Sequence, residues 1–389
     1  MDLDQDLVVV GGGITGLSVA VHAARLGLRT TLLEAGPLGG VSTQRSGALV
    51  RTHYADRTSA ALALRGLELF EGFAERYGGP SGFVATGFAY VPTPQERDDG
   101  SLAARVAMLA EVGVETTLLD ADGLRRIDPS VDVSDVGVAV HEPRSGYADP
   151  ALTTATLARA AADAGARLLP RHRADALVRD GGDHVVGVRA SAPDGGAWTI
   201  ACGAVVLCAG TWSASLAATA EIALPLRPTA VKLAFVERRV PHHLTVIDAP
   251  NGTYLRPEGA GATLVGRRTW TDEPLESPDA PLPQVDGAFL ADAAARLARR
   301  IPSATGAPVA GARAGMLDMT PDGLPYVGPV AARPGLWLCC GWSGTGFKTG
   351  PAVGEALAEA IAGRVGDPAW LGSFGLERAP LTAGVRSPH

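Results

Sequence analysis

Apolar positions along the chain follow two periods, and their alternation lays out the elements. Leu7-Val8-Val9-Val10 is an unbroken apolar run, the pattern of a strand buried on both faces. It opens directly into Gly11-Gly12-Gly13-Ile14-Thr15-Gly16, then an apolar helical pattern, then a strand ending Thr31-Leu32-Leu33-Glu34. Helical periodicity returns from Ala60 to Phe70 and over 101–112, 286–299 and about 350–363. Asp149 as N-cap and Pro150 at the first position open another helix, reaching Ala164. Strands are predicted at 84–92, 174–178, 184–190, 197–201, 204–210, 230–237, 252–256, 262–268 and 335–341.

Strand, GxGxxG, helix, strand and terminal acid stand at the spacing of a dinucleotide-binding βαβ unit. Gly11 permits the sharp turn, Gly13 lets a pyrophosphate approach the backbone, and Gly16 lets helix and strand pack closely. Glu34 is placed to accept from ribose hydroxyls. A second glycine-rich strand-to-helix turn lies at 341–350, so the two ends of the chain contribute to one site.

Composition narrows the class. A chain of 389 residues with 46% hydrophobic residues fits about two domains. A net charge of −7 gives no general attraction to nucleic acid or anionic membrane. The acidic start MDLDQDL and the lack of a long uncharged apolar run predict no leader and no membrane span. Cys202, Cys208, Cys339 and Cys340 lack metal-ligand spacing and read as reduced core cysteines of a cytoplasmic protein, with no metal expected. Only two of the 34 basic residues are lysines, Lys232 and Lys348, which singles both out.

Seven segments in order, GGGITG with Glu34, STQRSGALVR at 42–51, GYADP at 146–150, VVLCAGTWS at 205–213, GTYLRPEG at 252–259, MTPDGLPYVGP at 319–329 and GWSGTGFKTGPAVGE at 341–355, carry a resemblance. The chain resembles the D-amino acid oxidase superfamily, within it the sarcosine oxidase and dimethylglycine or proline dehydrogenase branch. The resemblance implies an α/β fold: a Rossmann-like FAD-binding domain from 1–83, 146–221 and 311–375, and a β-sheet-rich substrate domain built from insertions at 84–145 and 222–310. Residues 376–389 are expected to be a flexible tail.

The resemblance also implies bound FAD. Gly11, Gly13, Ile14, Thr15, Gly16, Glu34 and Ala35 match its ADP half, and Thr43, Arg45 and Ser46 match the loop along the pyrophosphate and flavin. Ala174 matches an adenine-side contact; Ala209, Gly210 and Trp212 match the return strand; Gly344, Gly346, Phe347 and Lys348 match the flavin's pyrimidine edge. The covalently flavinylated relatives use a cysteine in the stretch that here reads Arg313-Ala314-Gly315-Met316-Leu317, so noncovalent FAD is expected.

Arg51 and Lys348 match the positions that hold a substrate carboxylate, a fork for orientation and an ammonium for charge. Tyr254 and Arg256 share one strand face, expected to look into the pocket, whereas His53 reads as a helix-start or surface histidine. Small oxidases carry an oxygen-activating lysine where this chain has Leu264, leaving Lys348, Lys232, Arg267 and Arg268 as candidate cations. Arg268 joins Arg51, Lys348 and Tyr254 as a candidate catalytic residue.

The expected reaction is hydride removal from a C–H beside an amine nitrogen of an amino acid or secondary or tertiary amine, giving an imine, with O2 as electron acceptor. The alternatives are a dehydrogenase passing electrons to a carrier protein or quinone, a 2-hydroxy acid oxidoreductase, and a non-catalytic FAD-binding subunit.

Overall fold

The structure is a computed structural model that describes residues 4–268, 273–364 and 371–378. Two large sheets organise it. In the first, the strands run Tyr326–Pro329, Leu336–Cys340, Ala197–Leu207, Gln5–Val10, Thr30–Glu34 and Arg167–Pro170, the first of them antiparallel and the rest parallel. Gln5–Val10 sits inside this sheet, and its side chains alternate between two cores. Leu7 and Val9 pack beneath the helices, while Val8 and Val10 pack on the opposite face. The segments read as strands at 197–201 and 204–210 form one strand, Ala197–Leu207. Its first half pairs antiparallel with Val185–Ser191, which in turn pairs with Arg173–Arg179.

Helices Ile14–Arg25 and Gly346–Ile361 lie side by side on this sheet, pressed together at a glycine. A Cβ on Gly354 would sit 2.4 Å from Ser18 Cβ. Helix Pro150–Asp163 starts as its sequence implies, with Asp149 Oδ1 accepting from the amides of Ala151 and Leu152 at 2.8 and 2.9 Å.

The second sheet has the order Glu273–Pro274, Arg227–Glu237, Ala262–Arg267, Thr253–Glu258, Thr245–Asp248, Phe88–Val91, Ala139–Glu142 and Thr117–Leu119. The long strand Val309–Met319 pairs with Arg227–Glu237 and brings the chain back to the first sheet. One face packs Ala89, Val91, Val246, Leu255 and Val265 against helix Gly287–Arg300. The other carries Phe88, Tyr90, Ile247 and Tyr254. Among the described residues, no helix is long and apolar enough to cross a membrane. The tail expected from 376 is partly packed: Arg378 holds Asp322 at 2.7 Å, and residues 379–389 lie outside the described residues.

A dinucleotide cradle and a buried cation pair

A cavity of about 500 Å³ runs between the two sheets, lined from both ends of the chain. Its floor is the first strand-to-helix turn. Gly11 adopts φ +108°, and a Cβ there would sit 2.4 Å from the Cys208 carbonyl oxygen. A Cβ on Gly16 would come within 1.9 Å of the Gly11 carbonyl oxygen; Gly16 therefore sets helix–strand packing and does not itself line the cavity. Helix Ile14–Arg25 begins at Gly13, which has no side chain to cap it, and carries no acid in its first turn, so its positive end faces the cavity. Thr43 Oγ1 accepts from the Ile14 amide at 3.1 Å, while Glu34 accepts from Gly12 and Gly36 at 2.7 and 2.6 Å.

Ala35, Arg45, Ser46, Ala174, Ala209, Gly210 and Trp212 also line the cavity, as do Gly344, Gly346 and Phe347. Helix Gly346–Ile361 brings a second N-terminus to the cavity, with no side-chain cap and again without a first-turn acid. Asp318, not singled out in the sequence, braces the turn before it by accepting from the Gly341 amide at 2.7 Å. Burial pushes its carboxyl up to about 6. Its only signal was an acid inside an otherwise small and apolar run. Two arginines clamp the loop over the cavity: Arg256 Nε donates to the Gly47 carbonyl at 2.5 Å and Arg313 to that of Ser46 at 2.9 Å. Arg256 thus serves as a brace and does not line the cavity, whereas Tyr254 lines it. Burial raises the Tyr254 phenol to about 12, and its ring fills the space over Gly266, where a Cβ would lie 2.2 Å from Tyr254 Cζ.

Beyond this cavity lies a concentration of buried charge. Arg51 and Lys348 are 3% and 4% exposed, and both lie over the ring of Tyr54, at 4.8 and 5.6 Å from its centroid. Burial, and then the Arg51 charge, hold the Lys348 ammonium well below the ordinary lysine range. Among the described residues, no carboxylate lies within 4 Å of Lys348.

His53 is not at the surface. It is 4% exposed and stacked on Tyr90 with ring centroids 4.5 Å apart. Its Nε2 accepts from Arg105 Nη1 at 3.2 Å, since guanidinium can only donate, so Nδ1 carries the proton. That Nδ1 and Glu142 Oε1, 3.9 Å apart, are both buried without a hydrogen-bond partner. The other oxygen of Glu142 accepts from the Thr52 amide at 2.9 Å and from Ser145 at 2.7 Å, which pins the segment carrying Arg51.

The remaining candidate cations separate by sheet face. Lys232 turns away to Glu273 at 2.8 Å and Arg267 to Asp292 at 2.8 Å, so neither faces the cavity. Arg268 reaches Tyr90 Oη at 3.2 Å.

The cradle that a Cβ would fill and the two helix N-termini without a first-turn acid fit a dinucleotide carrying a pyrophosphate. The family model described as FAD dependent oxidoreductase matches residues 6–360. The chain belongs to that family. It is 26% identical to the glycine oxidase of Geobacillus kaustophilus, over 92% of each chain. It is 30% identical to the 4-methylaminobutanoate oxidase (formaldehyde-forming) of Paenarthrobacter nicotinovorans, covering 90% of this chain but only 43% of that longer protein. Among solved structures, the L-proline dehydrogenase of P. horikoshii superposes with a TM-score of 0.86 at 26% identity, covering 97% of this chain and 98% of the other. The chain is thus an FAD-dependent oxidoreductase, with the mixed α/β architecture of that family.

Proposed function

We propose that this chain oxidises a C–N bond of an amine that bears a carboxylate, an amino acid or an N-alkyl amino acid. The observation that carries this reading is the burial of the Lys348 ammonium, which has no carboxylate within 4 Å of it among the described residues and lies beside the Arg51 guanidinium. A buried cation of this kind is costly unless an anion joins it, and a substrate carboxylate is the anion the family's chemistry offers. The relatives named for glycine, 4-methylaminobutanoate and proline are enzymes of such substrates.

FAD, when bound, supplies the two-electron acceptor. Arg51 offers a planar fork that fixes the carboxylate's orientation, and Lys348 adds a point charge. Tyr254 forms a wall of the cavity, and the uncapped start of Gly346–Ile361 stabilises negative charge placed near it. No general base is required of the protein if the amine binds neutral; position and charge do the work. We propose O2 as the electron acceptor. A carrier or quinone is the second reading, favoured by the fold match to a dehydrogenase.

The test is anaerobic mixing with amino acids, N-methyl amino acids and 2-hydroxy acids while watching the flavin absorbance. Bleaching by amines but not hydroxy acids is the expected result. Arg51→Ala is expected to weaken carboxylate ligands by about 2–4 kcal/mol, and unchanged affinity would overturn the anchoring role.

A further inference from the structure

Across the cavity-facing side of the second sheet, backbone pairing aligns a row of residues. Leu233 pairs with Gly266, Gly266 with Tyr254, Tyr254 with Ile247, and Ile247 with Tyr90. Leu233 and Tyr254 line the cofactor cavity, so the row leads from that cavity to Tyr90. Phe88 lies two residues from Tyr90 on the same strand and face, a step of about 6.6 Å.

Each of these two rings carries its own guanidinium. Arg51 lies 5.9 Å from the Phe88 centroid, whereas Arg268 lies 5.7 Å from the Tyr90 centroid. Arg105 also lies over Tyr90 but is engaged by Glu96 at 3.1 Å. Arg268 is not. It donates one bond to the Tyr90 hydroxyl, its Nε is buried with no partner, and among the described residues no carboxylate lies within 4 Å. The neighbouring Arg267, paired with Asp292, shows that an acid is available to this strand on its other face. His53, between the two rings, is kept neutral by burial and by Arg105, Arg51 and Arg268, so it adds no positive charge that would make these cations redundant.

We propose that Arg268 is a second anion subsite, one strand step from the Arg51–Lys348 anchor, and that the preferred substrate carries a second acidic group. An α-amino or N-alkyl amino acid with a side-chain carboxylate two or three bonds beyond the reacting carbon spans that step. The unpartnered Nε–H supplies a donor for it, while the Tyr90 hydroxyl, which gives its own proton to Glu96 at 2.6 Å, accepts from Arg268 and holds the guanidinium in place. This proposal rests on Arg51 and Lys348 holding the first carboxylate, and its test separates the two.

The holoenzyme is titrated with glutarate and with butyrate, following the perturbation of flavin absorbance. The parent is expected to bind glutarate at least about tenfold more tightly than butyrate. Arg268→Gln is expected to abolish that preference by weakening glutarate about tenfold more than butyrate, and Arg268→Lys to restore part of it. Equal binding of the two acids by the parent, or equal weakening of both by Arg268→Gln, overturns the second subsite while leaving the anchor intact. Failure of Arg51→Ala to weaken either acid overturns the anchor and this proposal with it.

Discussion

Lys348 shows how a single residue takes its meaning from its neighbours. Its ammonium is buried against Tyr54 and beside Arg51, whereas Lys232 is bound to Glu273 on the opposite face. Lys348 is therefore the cation we expect to stabilise the negative charge that develops when O2 is reduced, in addition to its role in holding substrate. Lys348→Met is expected to slow reoxidation of dithionite-reduced enzyme, measured by stopped flow without substrate, by about ten- to a thousandfold, roughly 1.4–4 kcal/mol. Reoxidation at the parent rate would remove the second role, and a parent that barely reoxidises would favour the carrier-linked dehydrogenase. Arg51 and Lys348 were visible in the sequence through the resemblance of the segments that carry them, and Lys348 also as one of only two lysines. His53 was not visible, because its burial is created by Phe88, Tyr90 and Glu142, which a different sheet supplies. Nothing within a few residues of His53 announces that contact.

Among the elements, local signals and paired signals behaved differently. Helix Ser101–Val112 and the capped start of Pro150–Asp163 follow from periodicity and from Asp149, both local properties. The strand Val309–Met319 has no such signature: Gly311, Ala312, Ala314 and Gly315 dilute any alternation, and its identity comes from the register with Arg227–Glu237. The same strand brings Arg313 onto the 42–47 loop and places Gly315 3.1 Å, measured from a built Cβ, from Arg45 Cβ. No thiol stands there to bond a flavin, so FAD is expected in the supernatant after acid or heat precipitation. Arg313→Ala frees the Ser46 carbonyl from its clamp and is expected to weaken FAD binding by about 1–3 kcal/mol, read from the apoenzyme reconstitution curve. Flavin that stays with the precipitate, or a reconstitution curve identical to the parent's, would show that this strand does not govern cofactor retention.

At the scale of the whole molecule, burying polar groups between two sheets and their helices leaves a titration signature. His22, hydrogen-bonded to Tyr77 at 3.0 Å, and His243, bonded to Thr263 at 2.9 Å, are lowered by burial to about 4. His53 is driven down in the same direction, first by burial and then by Arg105. The unfolded chain takes up protons near the ordinary histidine pKa of about 6.5, whereas the folded chain refuses them until about 4. For these two, stability is therefore complete above about 6.5 and is lost as the pH falls toward 4, by at most about 3 kcal/mol for each of His22 and His243. Asp318 acts with the opposite sign, because its raised carboxyl, at about 6, binds a proton in the folded state first and so offsets part of the loss. Carboxylates held low by partners, such as Glu96 and Asp322, add their own loss only below the ordinary carboxylate range. With more histidines than raised acids in the window, the net expectation is a folded state several kcal/mol weaker at pH 4.5 than at pH 7. Denaturant titrations of the holoenzyme at the two pH values measure it directly. His22→Gln is expected to flatten the slope, and a stability that stays level or rises on acidification would show that these imidazoles are not buried in solution.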